Sequence, residues 1–149
     1  MAAIGQKRTL SNAMMRWIEL LRARIMGERA APFPFFVPLA KRPLTGDERE
    51  AVRYLLAEQA DFLKGQVEQL EVVGRCGCRV DCPTIFFREY VQGDQEQELS
   101  SLQGLDSAGG LVGAILFQKQ GLLSQLDIFS IDGHVPWSVP TAASFEPLR

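Results

Sequence analysis

The chain has 149 residues, 46% of them hydrophobic and 23% charged, with a formal net charge of -2. That is the length and balance of one ordinary globular domain, able to bury roughly two-thirds of its unfolded surface without disulfides or metal. No run of about 20 apolar residues is present, which excludes a spanning helix, and the modest acidity argues against nucleic acid as a partner.

The charge is unevenly placed. Residues 1–45 carry eight cations against two carboxylates, whereas residues 46–149 carry eight against sixteen. This predicts a basic N-terminal arm (1–43) on an acidic domain (44–149). Residues 1–13 have no periodic pattern. Met14, Ile18, Leu21 and Ile25 then recur at helical spacing beside Trp17, which predicts an amphipathic helix over 14–26. Arg16, Glu19, Arg22 and Arg24 interrupt every apolar run there, so neither a secretory leader nor a membrane-surface helix is expected. Prolines at 32, 34, 38 and 43, with Phe33, Phe35 and Phe36 between them, predict an extended strap over 30–43 that lies against the domain. The narrow helix and the aromatic strap need a surface to cover, and residues 14–38 could supply a homodimer contact.

Thr45-Gly-Asp-Glu48 has capping-box spacing. Val52, Leu55, Leu56, Phe62 and Leu63 follow on one face before Gly65, so residues 46–64 read as the main helix. Val67, Leu70, Val72 and Val73 predict a strand over 66–74, and residues 83–91 a second. The polar, Gly-bearing stretch 92–109 reads as an exposed loop. Residues 111–117 and 122–131 read as a second hairpin turning near Gln120-Gly121, and Pro136, Pro140 and Pro147 make the tail irregular. The expected fold is therefore α+β: an antiparallel sheet of about four strands in two hairpins, packed by one main helix, plus the N-terminal amphipathic helix.

The three cysteines of the chain, Cys76, Cys78 and Cys82, fall within seven residues on the first hairpin. In an extended strand Cys76 and Cys78 share a face, and a turn through Gly77 to Pro83 could bring Cys82 beside them. Three thiolates and one more ligand satisfy tetrahedral zinc. His134, the single histidine, is the candidate fourth ligand, with Asp81 and Asp132 behind it. The C-x-C spacing and the missing second cysteine pair depart from common structural zinc sites. Packed free thiols, or a redox pair activated by Arg75 and Arg79, fit the same residues. A thiol-dependent enzyme built from Cys78, His134 and Asp132 would need those three together, and no nucleophile elbow or phosphate loop is present. Trp137 and Phe145 read as edge packing.

Three segments together, Arg42-Pro-Leu-Thr-Gly-Asp-Glu-Arg49, Arg75-Cys-Gly-Cys-Arg-Val-Asp-Cys-Pro-Thr84 and Gly121-Leu-Leu-Ser-Gln-Leu-Asp-Ile-Phe-Ser130, resemble a group of small uncharacterised bacterial proteins with a cysteine-bearing hairpin. The resemblance covers roughly residues 42–149. It implies the fold and an immunity-type or accessory role, and carries no catalytic residue with it. Separately, an odd number of cysteines with no secretory leader expected points to a reducing, cytoplasmic setting. The reading that follows is non-enzymatic protein binding, in which Asp94, Glu96, Glu98 and Asp106 meet a basic protein partner; the alternative is a small zinc-binding module on the cysteine cluster.

Overall fold

The computed structural model describes residues 35–148 apart from Gln92 and Asp94. The helix predicted over 14–26, the strap residues 30–34 and Asp94 lie outside the described residues. In chain order the elements are β1 (Phe36–Pro43), α1 (Gly46–Leu55), α2 (Asp61–Lys64), β2 (Glu71–Cys76), β3 (Ile85–Phe86), β4 (Gln97–Leu105), β5 (Leu111–Lys119), β6 (Leu122–Ser130) and β7 (Glu146–Pro147). The strands form one antiparallel sheet in the order β1-β2-β3-β6-β5-β4-β7. Among the described residues no helix is long and apolar enough to cross a membrane.

The α+β class and the antiparallel sheet are as expected, but the sheet has seven strands rather than about four. Three of the additional pairings lie where the sequence hides them. The strap becomes β1, an outer strand on β2 with its register broken between Pro38 and Arg42. An edge position tolerates Pro38 and Pro43 because one side of the strand needs no donors. The predicted loop 92–109 contains β4, which pairs with β5 from Gln97 to Leu105. At the other edge β7 contributes two residues, and Gln103 donates to the Glu146 carboxylate at 2.6 Å.

The capping box forms as the spacing predicts. The Glu48 amide donates to Thr45 Oγ1 (3.2 Å), and the Thr45 amide donates to Glu48 Oε2 (2.8 Å). Arg42 closes the arrangement with two donors at 2.9 Å to the buried Glu48 carboxylate, tying β1 to α1. The predicted helix 46–64 is broken after Leu55 by the sheet itself. Ser100 Oγ donates to Leu55 O at 2.5 Å, and Gln59 donates to Leu99 O at 3.1 Å. Ser100 thus satisfies a carbonyl that a continuing helix would have used, and Gln59 ties the following turn to β4. A 3-10 turn at Val67–Gln69 delays β2 to Glu71, and the strand predicted over 83–91 shortens to Ile85–Phe86.

The main core lies between α1 and the long hairpin. Ala51, Val52, Leu55 and Leu56 meet Val112, Ala114, Leu116, Leu123, Leu126 and Ile128, all buried. On β5 the core side chains Val112, Ala114 and Leu116 follow the two-residue period of a sheet face, with Gly113 between them buried against the Phe129 ring. A second cluster of Cys76, Cys82 and Phe86, with Phe36, Cys78, Tyr90 and Trp137 against it, gathers around the cysteine turn.

Candidate metal centre

The cysteine turn is held by its backbone. Cys76 ends β2, and its amide donates to Thr84 O at 3.0 Å across the loop. The Gly77 amide donates to Phe35 O (2.7 Å), and the Cys82 amide to Arg79 O (3.4 Å). Gly77 is required by space: a Cβ there would stand 2.3 Å from the Phe35 ring. Thr84 anchors the far end of the loop. Its hydroxyl accepts from the Ile128 amide at 2.9 Å and lies 2.9 Å from Asp127 Oδ1. Replacing Thr84 by valine removes the acceptor of a buried amide, and is expected to cost about 1–3 kcal/mol in urea unfolding. Unchanged stability would show that this bond contributes nothing net.

These constraints bring the three sulfurs within 4.8 Å of one another. Cys76 is 0% exposed, Cys82 is 7% exposed, and Cys78 is half-buried at the mouth. All three are free thiols. Tetrahedral zinc with bonds of about 2.3 Å separates its sulfurs by about 3.8 Å, so binding requires a contraction of about 1 Å at most. Phe36 meets Phe86 edge-on with ring centroids 5.2 Å apart, and Tyr90 lies 5.7 Å from Phe86. Trp137 completes the wall, its indole Nε1 donating to Ile128 O at 2.9 Å. The Arg79 guanidinium lies 5.6 Å from the Trp137 ring centroid.

The thiols titrate as a unit. The Cys78 thiol and then the Cys82 thiol donate to Cys76, with backbone help from Cys78 and Phe35, and hold the Cys76 pKa far below the ordinary thiol range. Donating to Cys76 pushes Cys78 up, and the Cys76 sulfur and burial push Cys82 up. One proton leaves readily and the other two are retained. A thiolate braced by two thiols is the protonation state from which an incoming soft cation displaces the remaining protons.

His134 does not join the cysteines. Among the described residues the converging group is Cys76, Cys78 and Cys82 alone. His134 Nε2 lies 2.7 Å from Asp106 Oδ2, and Nδ1 faces Asp132 and the Ser130 hydroxyl. Its ring rests on Gly110, where a Cβ would stand 2.1 Å away. Both nitrogens are therefore engaged at the β4–β5 turn. The same network takes Asp132, whose carboxylate also accepts from the Leu111 amide at 2.9 Å, so Asp132 and His134 meet each other without Cys78. Asp81 pairs with Arg79 at 3.2 Å.

The acidic residues assigned to a partner surface also separate. Glu98 is exposed and Glu96 half-buried, whereas Asp106 is 5% exposed and turned inward onto His134 and three amides. The Asp106–His134–Asp132 network and Phe86 are the features the sequence did not single out, and Trp137, read there as edge packing, stands in the wall of the cysteine cluster. Asp106 lies 28 residues from His134 in the sequence.

Comparison with family models, with curated proteins and with solved structures finds no match to this chain. The functional reading therefore rests on the geometry of residues 75–84 and its aromatic wall.

Proposed function

We propose that this chain is a metal-binding module in which Cys76, Cys78 and Cys82 hold one soft cation, with zinc the first to test. The observation that carries the reading is the convergence of three sulfurs within 4.8 Å on a turn fixed by its own backbone bonds. Convergence of this kind is what a thiolate site needs before metal arrives. Cys76, whose pKa is the lowered one, would make the first bond, and Cys78 and Cys82 would complete a three-sulfur set on losing their protons. The complex carries one negative charge, and Arg75, which donates to the Cys76 and Arg79 carbonyls at 3.3 and 3.4 Å, stands beside it. Of the protein-binding and metal-binding readings, the geometry favours the second, because inward-facing Asp106 takes one of the four carboxylates out of the acidic partner surface.

The test is zinc titration of the reduced, metal-free full chain against a chromophoric chelator, with the thiols counted in parallel. One zinc per chain is expected, all three thiols being protected until chelator is added in excess. Zinc at a hundred times its Kd should add about 2.7 kcal/mol to unfolding stability. Three thiols that react at the same rate with and without zinc would overturn the reading.

A further inference from the structure

Among the described residues three ligands converge on this site and no fourth of matching softness joins them. The chain contains three cysteines and one histidine in all. Both ring nitrogens of that histidine are engaged by Asp106, Asp132 and Ser130. Among the described residues no carboxylate joins the sulfur group. A tetrahedral divalent ion held here must complete its shell with solvent or a borrowed ligand, which is the open arrangement of a reactive rather than a structural site. The wall around the sulfurs is aromatic, formed by Phe36, Phe86, Tyr90 and Trp137.

We infer that Cys76, Cys78 and Cys82 form a site for trivalent, three-coordinate thiophilic ions, arsenite or antimonite, in preference to tetrahedral divalent metals. The inference rests on the three-cysteine reading above. Trivalent arsenic and antimony carry a lone pair and complete their shells with three sulfurs in a trigonal pyramid, so the missing fourth ligand costs them nothing. Softness matches as well, since thiolates select such ions over hard ones. Charge distinguishes the two classes further. Three thiolates on zinc leave a net charge of minus one that draws on the Arg75 guanidinium beside the turn, whereas three thiolates on a trivalent ion leave none. The reaction balances without any change of oxidation state. Arsenous acid, As(OH)3, exchanges its three hydroxyls for the Cys76 thiolate and the Cys78 and Cys82 thiols: three As–O and two S–H bonds break, three As–S bonds form, and two waters and one hydroxide leave.

The experiment uses the reduced full chain, loaded with zinc, titrated with sodium arsenite and followed by native mass spectrometry, thiol counting and near-ultraviolet sulfur-to-arsenic absorption. Arsenite is expected to displace zinc, to give a mass one arsenic less three hydrogens above that of the metal-free reduced chain, and to protect all three thiols. Cys78→Ser at the half-buried mouth should weaken arsenite binding at least tenfold, with cooperative thermal unfolding showing that the variant is folded. If Cys78→Ser does not fold, the thiol count on the unmodified chain still decides the matter. Zinc that binds and resists excess arsenite would overturn the inference and leave the metal-binding reading standing. So would a third thiol that stays reactive in the arsenite complex. If neither ion protects the thiols, both fall together.

Discussion

Replacing Phe86 by alanine is expected to lower the unfolding free energy by about 3–5 kcal/mol and to weaken metal binding at the same time. Phe86 is 0% exposed and lies on the short central strand β3, paired with Gly74 of β2 and Gln125 of β6. Its ring packs with Cys76, Cys82, Phe36 and Tyr90. The cluster cannot collapse easily into the space left behind. Phe36 is held over Gly74, where a Cβ would stand 2.2 Å from its ring, and Cys76 is fixed by its backbone bond to Thr84. A cavity beside the sulfurs therefore persists and would admit water to an ion held there. Phe86→Leu keeps most of the volume and should cost less than about 1.5 kcal/mol. Urea unfolding of both variants checks the first claim, and zinc titration of the folded fraction checks the second. A loss below 1 kcal/mol for Phe86→Ala would mean that the wall repacks, and the link between core and site would then be withdrawn.

What could be read in advance follows the range of the interactions. Thr45 and Glu48 lie three residues apart and satisfy each other, so the start of α1 was legible. Its end was not, because Leu55 is stopped by Ser100, 45 residues away. The hairpin of β5 and β6 was visible in its apolar runs and its turn at Gln120-Gly121, where both residues adopt positive φ. Gln97–Leu105 shows no such run and became a strand only because β5 offers a partner along its length. The strap read as extended, but extended structure has no fixed neighbour, and only the sheet makes it β1. The cysteine site divides in the same way. Spacing brought Cys76, Cys78 and Cys82 together within one turn, whereas the destination of His134 depended on hairpin register. The pairing of Val112 with Ser130, and the bond from the Ile131 amide to Leu111 O, set the end of β6 beside the Asp106–Gly110 turn. A register cannot be counted from one chain segment, so His134 was assigned to the sulfurs and Asp106 to a partner.

Asp106→Ala is expected to cost about 2–4 kcal/mol and to flatten the dependence of stability on pH. Oδ1 of Asp106 accepts from the Ala108 and Gly110 amides at 3.0 and 2.9 Å, and Oδ2 accepts from His134 Nε2 and the Ser138 amide at 2.7 and 3.2 Å. Burial alone would raise the Asp106 pKa, but His134 and the three amides outweigh it and hold the pKa below the usual aspartate range. Asp132 is pulled down in the same direction, first by the Leu111 amide and then by His134. The two carboxylates, Asp106 first, raise the pKa of His134. The signs then fix a window. A carboxylate whose pKa is lower in the folded state stabilises above its unfolded value near 4 and loses that contribution as pH falls. A histidine whose pKa is higher in the folded state stabilises fully below its unfolded value near 6.5 and loses that contribution as pH rises through the folded value. The network therefore contributes most between about pH 4 and 6.5, and the melting temperature should decline on the alkaline side of that window. Asp106→Ala removes the main cause of the histidine shift, so its alkaline decline should be shallower. His134 is the single histidine of the chain, so one imidazole resonance reports its pKa directly in both proteins. A His134 resonance that titrates at its ordinary value in the unmodified chain would refute the account. The consequence reaches the sulfurs, because Ser138 follows Trp137 directly. Once the Asp106 bond to the Ser138 amide is gone, Trp137 is left to the Ile128 carbonyl and its packing on the cysteine cluster. Arsenite and zinc should then dissociate faster from Asp106→Ala than from the unmodified chain, although no ligand to the ion has changed.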